Sequence, residues 1–367
     1  MEKRKIRIGV LFGGKSAEHE ISLLSARSVI EALDKQKYDI TLIGIDKQGH
    51  WCLCDEAEYL LHRDDPKKVQ MHGMLDNVSL VPQKNQPHLV SLSQKEAAKP
   101  LDVIFPVLHG TYGEDGTIQG LLKLADIPFV GAGVLGSAVG MDKDVMKRLL
   151  RDAGIPIAKF RTVHRRDLEK LDFKEIVQEL GLPLFVKPAN SGSSVGISKV
   201  KSRTDWDQAL AYAFDYDHKV LIEEAIIGRE IECAVLGNEN PMASLPGEIF
   251  ANDEFYSYAA KYFENGVNIE IPVKGSPELI KKIQDVAIAA CQALYCEGLA
   301  RVDLFLDNHQ RILVNEINTL PGLTKTSGCP KLWKASGWDF SDMLDRLIQL
   351  ALERNSREKQ LKTQWVT

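Results

Sequence analysis

Two short runs near the C-terminus concentrate residues able to do chemistry: Ala300-Arg-Val-Asp-Leu-Phe-Leu-Asp307 and Ile312-Leu-Val-Asn-Glu-Ile-Asn318. If residues 307–310 form a four-residue hairpin loop, position 306 pairs with 311, Asp303 lies opposite position 314, and Arg301 lies opposite Glu316. Side chains directly opposite one another share a face of the sheet. Arg301, Asp303, Glu316 and Asn318 then project to one side, and a one-residue register slip would disperse them. Two carboxylates and an amide oxygen on one face are hard oxygen donors, suited to Mg²⁺ carrying substrate phosphates. The competing reading is a solvated polar face. Val302, Leu304, Phe305 and Ile317 count against it, because they give the strands a buried side.

Three further segments have chemical potential. In Phe185-Val-Lys-Pro-Ala-Asn-Ser-Gly-Ser-Ser-Val-Gly196, Lys187 sits near the end of an apolar strand, and a loop rich in N–H and hydroxyl donors follows. A lysine on a rigid strand beside a donor loop suits a polyphosphate, although a plain Ser/Gly turn reads equally well. Thr319-Leu-Pro-Gly-Leu-Thr-Lys-Thr-Ser-Gly328 directly follows the second acidic run. Its Gly322 and following amides could face a developing oxyanion with Arg301 nearby, or simply form a Pro-Gly turn. Asp253-Glu-Phe-Tyr-Ser-Tyr-Ala-Ala-Lys-Tyr262 sets four aromatics and a lysine in a polar stretch, which fits a lid over a site or a half-buried edge loop.

One apparent motif is a decoy. Gly9-Val-Leu-Phe-Gly-Gly-Lys-Ser16 matches GxxxxGK[ST], but a phosphate-binding loop needs free middle residues whose amides wrap the anion. Val10, Leu11 and Phe12 instead continue an apolar strand begun at Ile6, leaving only Gly13 and Gly14 to turn.

The elements that must position these residues follow from periodicity. Residues 6–12 and 38–46 read as strands flanking a helix that begins near Ser16 as N-cap, with Glu18, Glu20 or both in its first turn, which makes a parallel α/β start. Residues 62–100 read as a polar, irregular insertion. Residues 102–110 form another buried strand. A helix over Met141–Gly154 puts Met141, Val145, Leu149 and Leu150 on one face. Beyond residue 182, strands at 182–189, KVLIEEAI, REIECAVLG, GEIF, ARVDLFLD and ILVNEIN are spaced for antiparallel hairpins. The tail from Glu353 is expected to fray. The fold class is α/β, becoming α+β in the C-terminal part, with no internal repeats. The expected division is 1–131, 132–222 and 223–367.

Composition bounds the function. With 367 residues, 44% of them hydrophobic and 26% charged, large cores are available and disorder is excluded. Lys+Arg number 46 against 51 Asp+Glu, a net charge of −5, so the basic excess of a general nucleic-acid binder is missing. No run approaches the roughly 18 apolar residues that span a bilayer, and the basic N-terminus lacks the apolar length of a signal sequence. The expectation is a cytoplasmic protein that binds neither nucleic acid nor membrane. Its six cysteines, including the Cys52/Cys54 pair, are expected to be reduced thiols, neither a disulfide framework nor a metal site.

In order along the chain, Gly13-Gly-Lys-Ser-Ala-Glu-His-Glu-Ile-Ser-Leu23, Leu108-His-Gly-Thr-Tyr-Gly-Glu-Asp-Gly116, Met141-Asp-Lys143, residues 185–196, Phe255–Tyr262, Ala300-Arg-Val-Asp303 and Asn315-Glu-Ile-Asn-Thr-Leu-Pro-Gly322 resemble the D-alanine–D-alanine ligase family of the ATP-grasp superfamily. The resemblance spans residues ~5–350. It implies a three-domain ATP-grasp architecture, with ATP between the central and C-terminal domains. It also implies ligation of two D-alanine molecules for peptidoglycan synthesis with ATP and two Mg²⁺ or Mn²⁺ ions, by a homodimer. Under it, Lys143 and Lys187 bind phosphates, and Ser193, Ser194 and Val195 cover them. Glu223, Glu224 and Ile226 line the adenine site, Glu230 holds the ribose, Phe255 and Asn315 belong to the ATP site, and Lys261 reaches the γ-phosphate. Asp303, Glu316 and Asn318 hold the metals. Glu18 holds the first ammonium beside His109, with Ser193 and Tyr262 bonded to Glu18. Arg301 and the Gly322 amide stabilise the oxyanion, and Ser327 and the Gly328 amide hold the second carboxylate.

Gly328 and Cys329 depart from the family, which usually has a bulky apolar residue followed by an aromatic or apolar one. The departure predicts a larger pocket and relaxed acceptor choice. The rival readings are a related ligase making D-alanyl-D-lactate or D-alanyl-D-serine, a P-loop NTPase using Lys15, and a non-catalytic nucleotide-binding module. Glu18 and Tyr262 favour the dipeptide enzyme, and the presence together of Arg301, Asp303, Glu316 and Asn318 argues against a silent module.

Overall fold

The computed structural model describes residues 4–62, 65, 67–82, 88–93, 97–250 and 268–362. The first apolar run becomes β1 (Ile6–Gly13), with Ile8, Val10, Leu11 and Phe12 wholly buried. The middle of the GxxxxGKS pattern is therefore a strand, as its apolar character required. Helix α1 (His19–Ala32) carries the chain over to β2 (Tyr38–Ile45), which runs parallel to β1. Ser16 is not the N-cap. Glu18 occupies that position, while the Ser16 hydroxyl donates to the His109 carbonyl at 2.7 Å and accepts the Glu18 N–H at 3.1 Å.

Antiparallel strand β3 (Trp51–Cys54) follows, then a small ribbon of β4 (Leu60–Leu61) and β5 (Gln70–Met71). Strands β6 (Met74–Val81), β7 (His88–Ser91) and β8 (Ala97–Pro100) extend the same sheet, and β9 (Val103–Leu108) closes its other side, giving the order β8-β7-β6-β3-β2-β1-β9. The stretch 62–100 is thus no mere irregular insertion. Val78 and Leu80 alternate with exposed residues along β6, a period-2 signal diluted by polar neighbours. Cys52 and Cys54 lie side by side on β3, with sulfurs 3.8 Å apart, and all six cysteines are free and buried.

After α2 (Thr117–Leu124), the helix expected from Met141 is two helices, α3 (Val134–Met141) and α4 (Lys143–Asp152). Asp142 divides them and caps α4, accepting the Asp144 and Val145 N–H groups at 3.1 Å each. The buried face of α4 is Lys143, Asp144, Met146, Lys147 and Leu150, whereas Leu149 is exposed. The expected apolar stripe is therefore rotated, and two lysines point inward.

Strand β10 (Phe160–His164), helix α5 (Phe173–Leu180), strands β11 (Leu184–Pro188) and β12 (Ser198–Val200), helix α6 (Arg203–Phe214) and strand β13 (Lys219–Glu224) build a four-stranded antiparallel sheet, ordered β10-β13-β11-β12. The last sheet contains β14 (Gly228–Gly237), β15 (Met242–Ala243), β16 (Gly247–Phe250), β17 (Asn268–Glu270), β18 (Gly298–Asp307) and β19 (Ile312–Asn318). Its order is β17-β16-β14-β18-β19, with β15 on β14, and all pairings are antiparallel, as the spacing of the runs predicts.

Helix α7 (Pro277–Ala293) lies on this sheet, and Met146 and Leu150 of α4 share its core with Ile283, Val302 and Val314. Helices α8 (Gly328–Ala335) and α9 (Phe340–Glu358) return to the first sheet, where Leu344, Leu347 and Ile348 pack with Ile8, Val10 and Phe12. The tail does not fray at Glu353. Buried Arg354 donates to the carbonyls of Gly131 at 2.6 Å and Phe129 at 2.7 Å, which ties α9 down. Among the described residues, no helix is long and apolar enough to cross a membrane.

Candidate active site

The β18–β19 hairpin sets the centre of the site, and its register differs from the expected one in two steps. The Asp307 N–H bonds the Arg311 carbonyl at 3.0 Å, so the loop holds three residues, and Gln310 adopts φ +62°. That shifts the pairing by one, to Leu306↔Ile312 and Leu304↔Val314. A bulge at Asn315 shifts it once more, to Asp303↔Glu316 and Arg301↔Asn318. Two one-residue steps restore the parity, so the four side chains still share a face. Phe305 lies on that face too, half-buried, rather than on the apolar side.

Each group on this face is held. Arg301 grips Asp303 bidentately, Nε to Oδ1 and Nη2 to Oδ2 at 2.7 Å each, and its Nε lies 3.4 Å from Glu232 on the next strand. Glu316 pairs with Lys143 Nζ at 3.1 Å, and the same ammonium donates to the Ser191 carbonyl at 2.7 Å. Asn318 Oδ1 accepts the Leu320 N–H at 3.1 Å. Lys187 donates to Asn315 Oδ1 at 3.4 Å, so the bulged residue reaches the central sheet.

Loop 189–196 closes the other side. Ser193 and Ser194 sit at φ +51° and +61°, left-handed backbone that costs non-glycine residues roughly 1–3 kcal/mol each. In that conformation the Ser193 hydroxyl donates to Glu18 Oε1. Val195 N–H closes a turn to the Gly192 carbonyl at 3.1 Å. A continuous chain of contacts thus runs from Glu18 through this loop to Lys143 and Glu316.

His109 is placed beside Glu18, but both of its ring nitrogens are engaged. Nδ1 lies 3.0 Å from the Leu320 carbonyl and Nε2 lies 3.0 Å from Ser25 Oγ. Burial holds its pKa below the ordinary value, so the neutral ring donates from Nδ1 and accepts at Nε2. It braces the 319–322 turn more directly than it offers itself to a ligand. Gly322 lies in that turn, and a side chain there would meet Ser327 Oγ at 2.9 Å. Ser327 stands at the N-cap position of α8, but its Oγ turns to Thr324, 2.7 Å from Oγ1, rather than to the helix N–H groups.

The position of Gly328 corrects an expectation. A Cβ there would overlap Glu232 Oε2 and lie 3.4 Å from Glu232 Cδ. The missing side chain leaves room for Glu232 rather than for a larger ligand. Cys329 is fully buried, and burial pushes its thiol up to about 12.

On the central sheet, Glu223 is buried and its Oε2 lies 3.1 Å from both Lys187 and Lys147. Glu224 spends its Oε1 on the Lys159 N–H at 2.7 Å, and its own N–H bonds the Lys159 carbonyl. Ile226 is half-buried between β13 and β14, and Glu230 is exposed on β14 opposite Ile249 and Phe305. Phe255, Lys261 and Tyr262 lie outside the described residues.

Sequence reasoning missed three buried charges. Lys147 was legible as the i+4 neighbour of Lys143. Glu232 faces Asp303 across β14 and β18. Glu114 is buried; its Oε2 accepts the Gly110 N–H at 2.8 Å, and Oε1 has no partner among the described residues. Burial, reinforced by the charge of Glu18, drives the Glu114 pKa well above the carboxylate range. Only the run of acids around Gly116 hinted at it.

The family model described as D-ala D-ala ligase N-terminus matches residues 7–132, and that described as D-ala D-ala ligase C-terminus matches residues 149–349. A D-alanine--D-alanine ligase of Oceanobacillus iheyensis is 51% identical over 360 residues, covering 98% of each chain. The chain belongs to the D-alanine–D-alanine ligase family. Among solved structures of this ligase family, one from Coxiella burnetii superposes with TM-score 0.85 at 40% identity, covering 97% of this chain and 96% of its own. The VanG D-Ala:D-Ser ligase of Enterococcus faecalis gives 0.83 at 38% identity, covering 95% and 100%. The family's ATP-grasp layout accords with an α/β sheet followed by two antiparallel clamping sheets.

Proposed function

We propose that this chain joins two D-alanines into D-alanyl-D-alanine at the expense of ATP, through a D-alanyl phosphate, for peptidoglycan precursors. The observation that carries the reading is the line that runs from Glu18 to the Ser193 hydroxyl, along the loop backbone to the Ser191 carbonyl, and from there to Lys143 and Glu316, with Asp303 and Arg301 on the same face as Glu316. A carboxylate is a poor acylating agent. Transfer of the γ-phosphoryl group to the first D-alanine carboxylate gives an acyl phosphate and ADP. The neutral amine of the second D-alanine then forms the C–N bond, and phosphate leaves.

In this reading Glu18 binds the first ammonium, and Ser193 holds the loop over the phosphates with Ser194 and Val195. Lys143 and Lys187 neutralise phosphate oxygens, which is mainly positioning and electrostatics. Glu223, Glu224 and Ile226 border the base, Glu230 the ribose, and Asn315 orients Lys187. Arg301 and the Gly322 amide face the tetrahedral oxyanion. Ser327 and the Gly328 amide take the second carboxylate. Phe255, Lys261 and Tyr262 serve as a lid that keeps water from the acyl phosphate.

No cluster of three His, Cys, Asp or Glu side chains forms a ready metal cage among the described residues. The donor set nevertheless fits a hard divalent cation, with two carboxylates from directly paired positions and an amide oxygen on their face. Asp303, Glu316 and Asn318 would hold two Mg²⁺ or Mn²⁺ ions, whose contribution would be charge neutralisation on the triphosphate. The reading extends to three domains over 1–131, 132–222 and 223–367, a homodimer, and a cytoplasmic location.

Phosphate release with ATP, Mg²⁺ and D-alanine, run beside L-alanine, D-lactate plus D-alanine and D-serine plus D-alanine, tests it. Release with D-alanine alone, accompanied by dipeptide, is expected. Release only with L-alanine would overturn the assignment, and release only in a mixed pair would give the related ligase instead.

A further inference from the structure

Lys147 has no part in the mechanism above, yet it is fully buried; burial lowers its pKa and the neighbouring Glu223 carboxylate opposes that shift. A buried ammonium is costly unless a carboxylate pairs with it. Its partner is Glu223 Oε2 at 3.1 Å, and Lys187 approaches the same oxygen at the same distance. One carboxylate oxygen therefore faces two ammonium groups, one from α4 and one from β11. Pairing of β13 with β10 and β11 puts Glu223 opposite both Phe160 and Phe185, so the three side chains share a face with Lys187 two residues further on. The Phe160 ring lies 6.0 Å from the Lys147 ammonium. Glu223 is thus an acid between two aromatic positions, with Oε2 held by two ion pairs rather than by hydrogen bonds.

Resting on the reading of Glu223 as a base-binding residue, we propose that Lys147 is a positioning residue that fixes Glu223 as an acceptor-only carboxylate and so selects a purine with an exocyclic amino group over one with a carbonyl at that position. Two ammonium groups on Oε2 set the carboxylate plane and turn Oε1 outward. Oε1 then accepts from an amino group and repels a carbonyl oxygen. With Lys147 removed, Lys187 alone cannot fix the plane, because it also serves Asn315. Lys147 never touches substrate in this scheme and acts through Glu223.

The test is kcat/KM with ATP and with GTP for the wild type, Lys147→Met, Glu223→Gln and the double variant. A lost charge-assisted hydrogen bond is worth roughly tenfold. Lys147→Met is expected to lower kcat/KM for ATP about tenfold through KM, with kcat and the GTP value nearly unchanged, so that the ATP/GTP ratio falls about tenfold. Glu223→Gln offers both donor and acceptor and should reduce the ratio at least as far. Lys147→Met leaves Glu223 paired with Lys187, and the double variant should match Glu223→Gln in kcat/KM with each nucleotide. If Lys147→Met, or the double variant against Glu223→Gln, lowers both nucleotides equally, Lys147 is a structural support and the inference fails. If Glu223→Gln also leaves the ratio unchanged, the base-binding reading of Glu223 fails with it.

Discussion

Gly110 offers a sharp perturbation of the substrate end of the site. Its φ is +74°, and a Cβ there would stand 2.8 Å from Glu18 Oε2, more than half an ångström inside ordinary contact. Gly110→Ala therefore adds two costs: left-handed backbone at roughly 1–2 kcal/mol and displacement of Glu18. Glu18 is buried and tied to Ser193, so it cannot yield without loosening loop 189–196. The expected stability loss is about 2 kcal/mol, read as a Tm lowered by several degrees. Misplacement of a positioning group by a fraction of an ångström to an ångström costs up to 10²-fold in rate, so kcat/KM for D-alanine should fall between tenfold and a hundredfold. The decisive assay is a double-mutant cycle with Glu18→Ala, by chemical denaturation. The backbone cost persists in that background, whereas the collision disappears, giving a coupling of about 0.5–1 kcal/mol or more. Equal penalties in the two backgrounds, or Gly110→Ala as stable as the wild type, would refute the reasoning.

Three further outcomes follow from the buried acids. Gly328→Ala drives a methyl into Glu232 Oε2 and through it disturbs Arg301; overpacking of this kind costs about 1–3 kcal/mol. Denaturation should show that loss, and Glu232→Ala should relieve it. The wild type should also discriminate D-alanine from D-2-aminobutyrate as acceptor, because Glu232 fills the space beside Gly328. For Glu114, the folded pKa lies above its unfolded value. The folded state then binds the proton more tightly, so this group's contribution to stability is largest below the unfolded pKa and falls as pH rises toward the folded one. Glu114→Gln should flatten the loss of stability with rising pH above about 4.5, and a variant with the wild-type slope would contradict that.

The apolar runs announced β1, β2, β9 and the hairpin strands directly, because a buried strand must be hydrophobic whatever its neighbours. The face carrying Arg301, Asp303, Glu316 and Asn318 was legible too, but by a route the sequence conceals. A three-residue loop and a bulge at Asn315 each moved the register, and only together did they keep the parity. Strand β6 escaped notice because its inward residues, Val78 and Leu80, are few and set among polar neighbours, and β7 and β8 are only four residues each. The helix break at Asp142 was hidden because an N-cap aspartate in a continuous helical pattern looks like another surface acid. The spacing of Lys147 from Lys143 marked it as a second lysine on one helix face, but its burial, like that of Glu232, rests on a partner distant in sequence, Glu223 and Arg301 respectively. Among the described residues Glu114 bonds only the nearby Gly110 N–H, and nothing in its local pattern announces its burial.

The arrangement on the β18–β19 face is most directly examined by phosphate release with D-alanine and ATP in Asp303→Asn and Glu316→Gln, each checked for an unchanged melting profile. If the two carboxylates jointly serve phosphoryl transfer, each folded variant loses on the order of 10²-fold or more in rate. Turnover within a few-fold of the wild type in either variant would contradict the account.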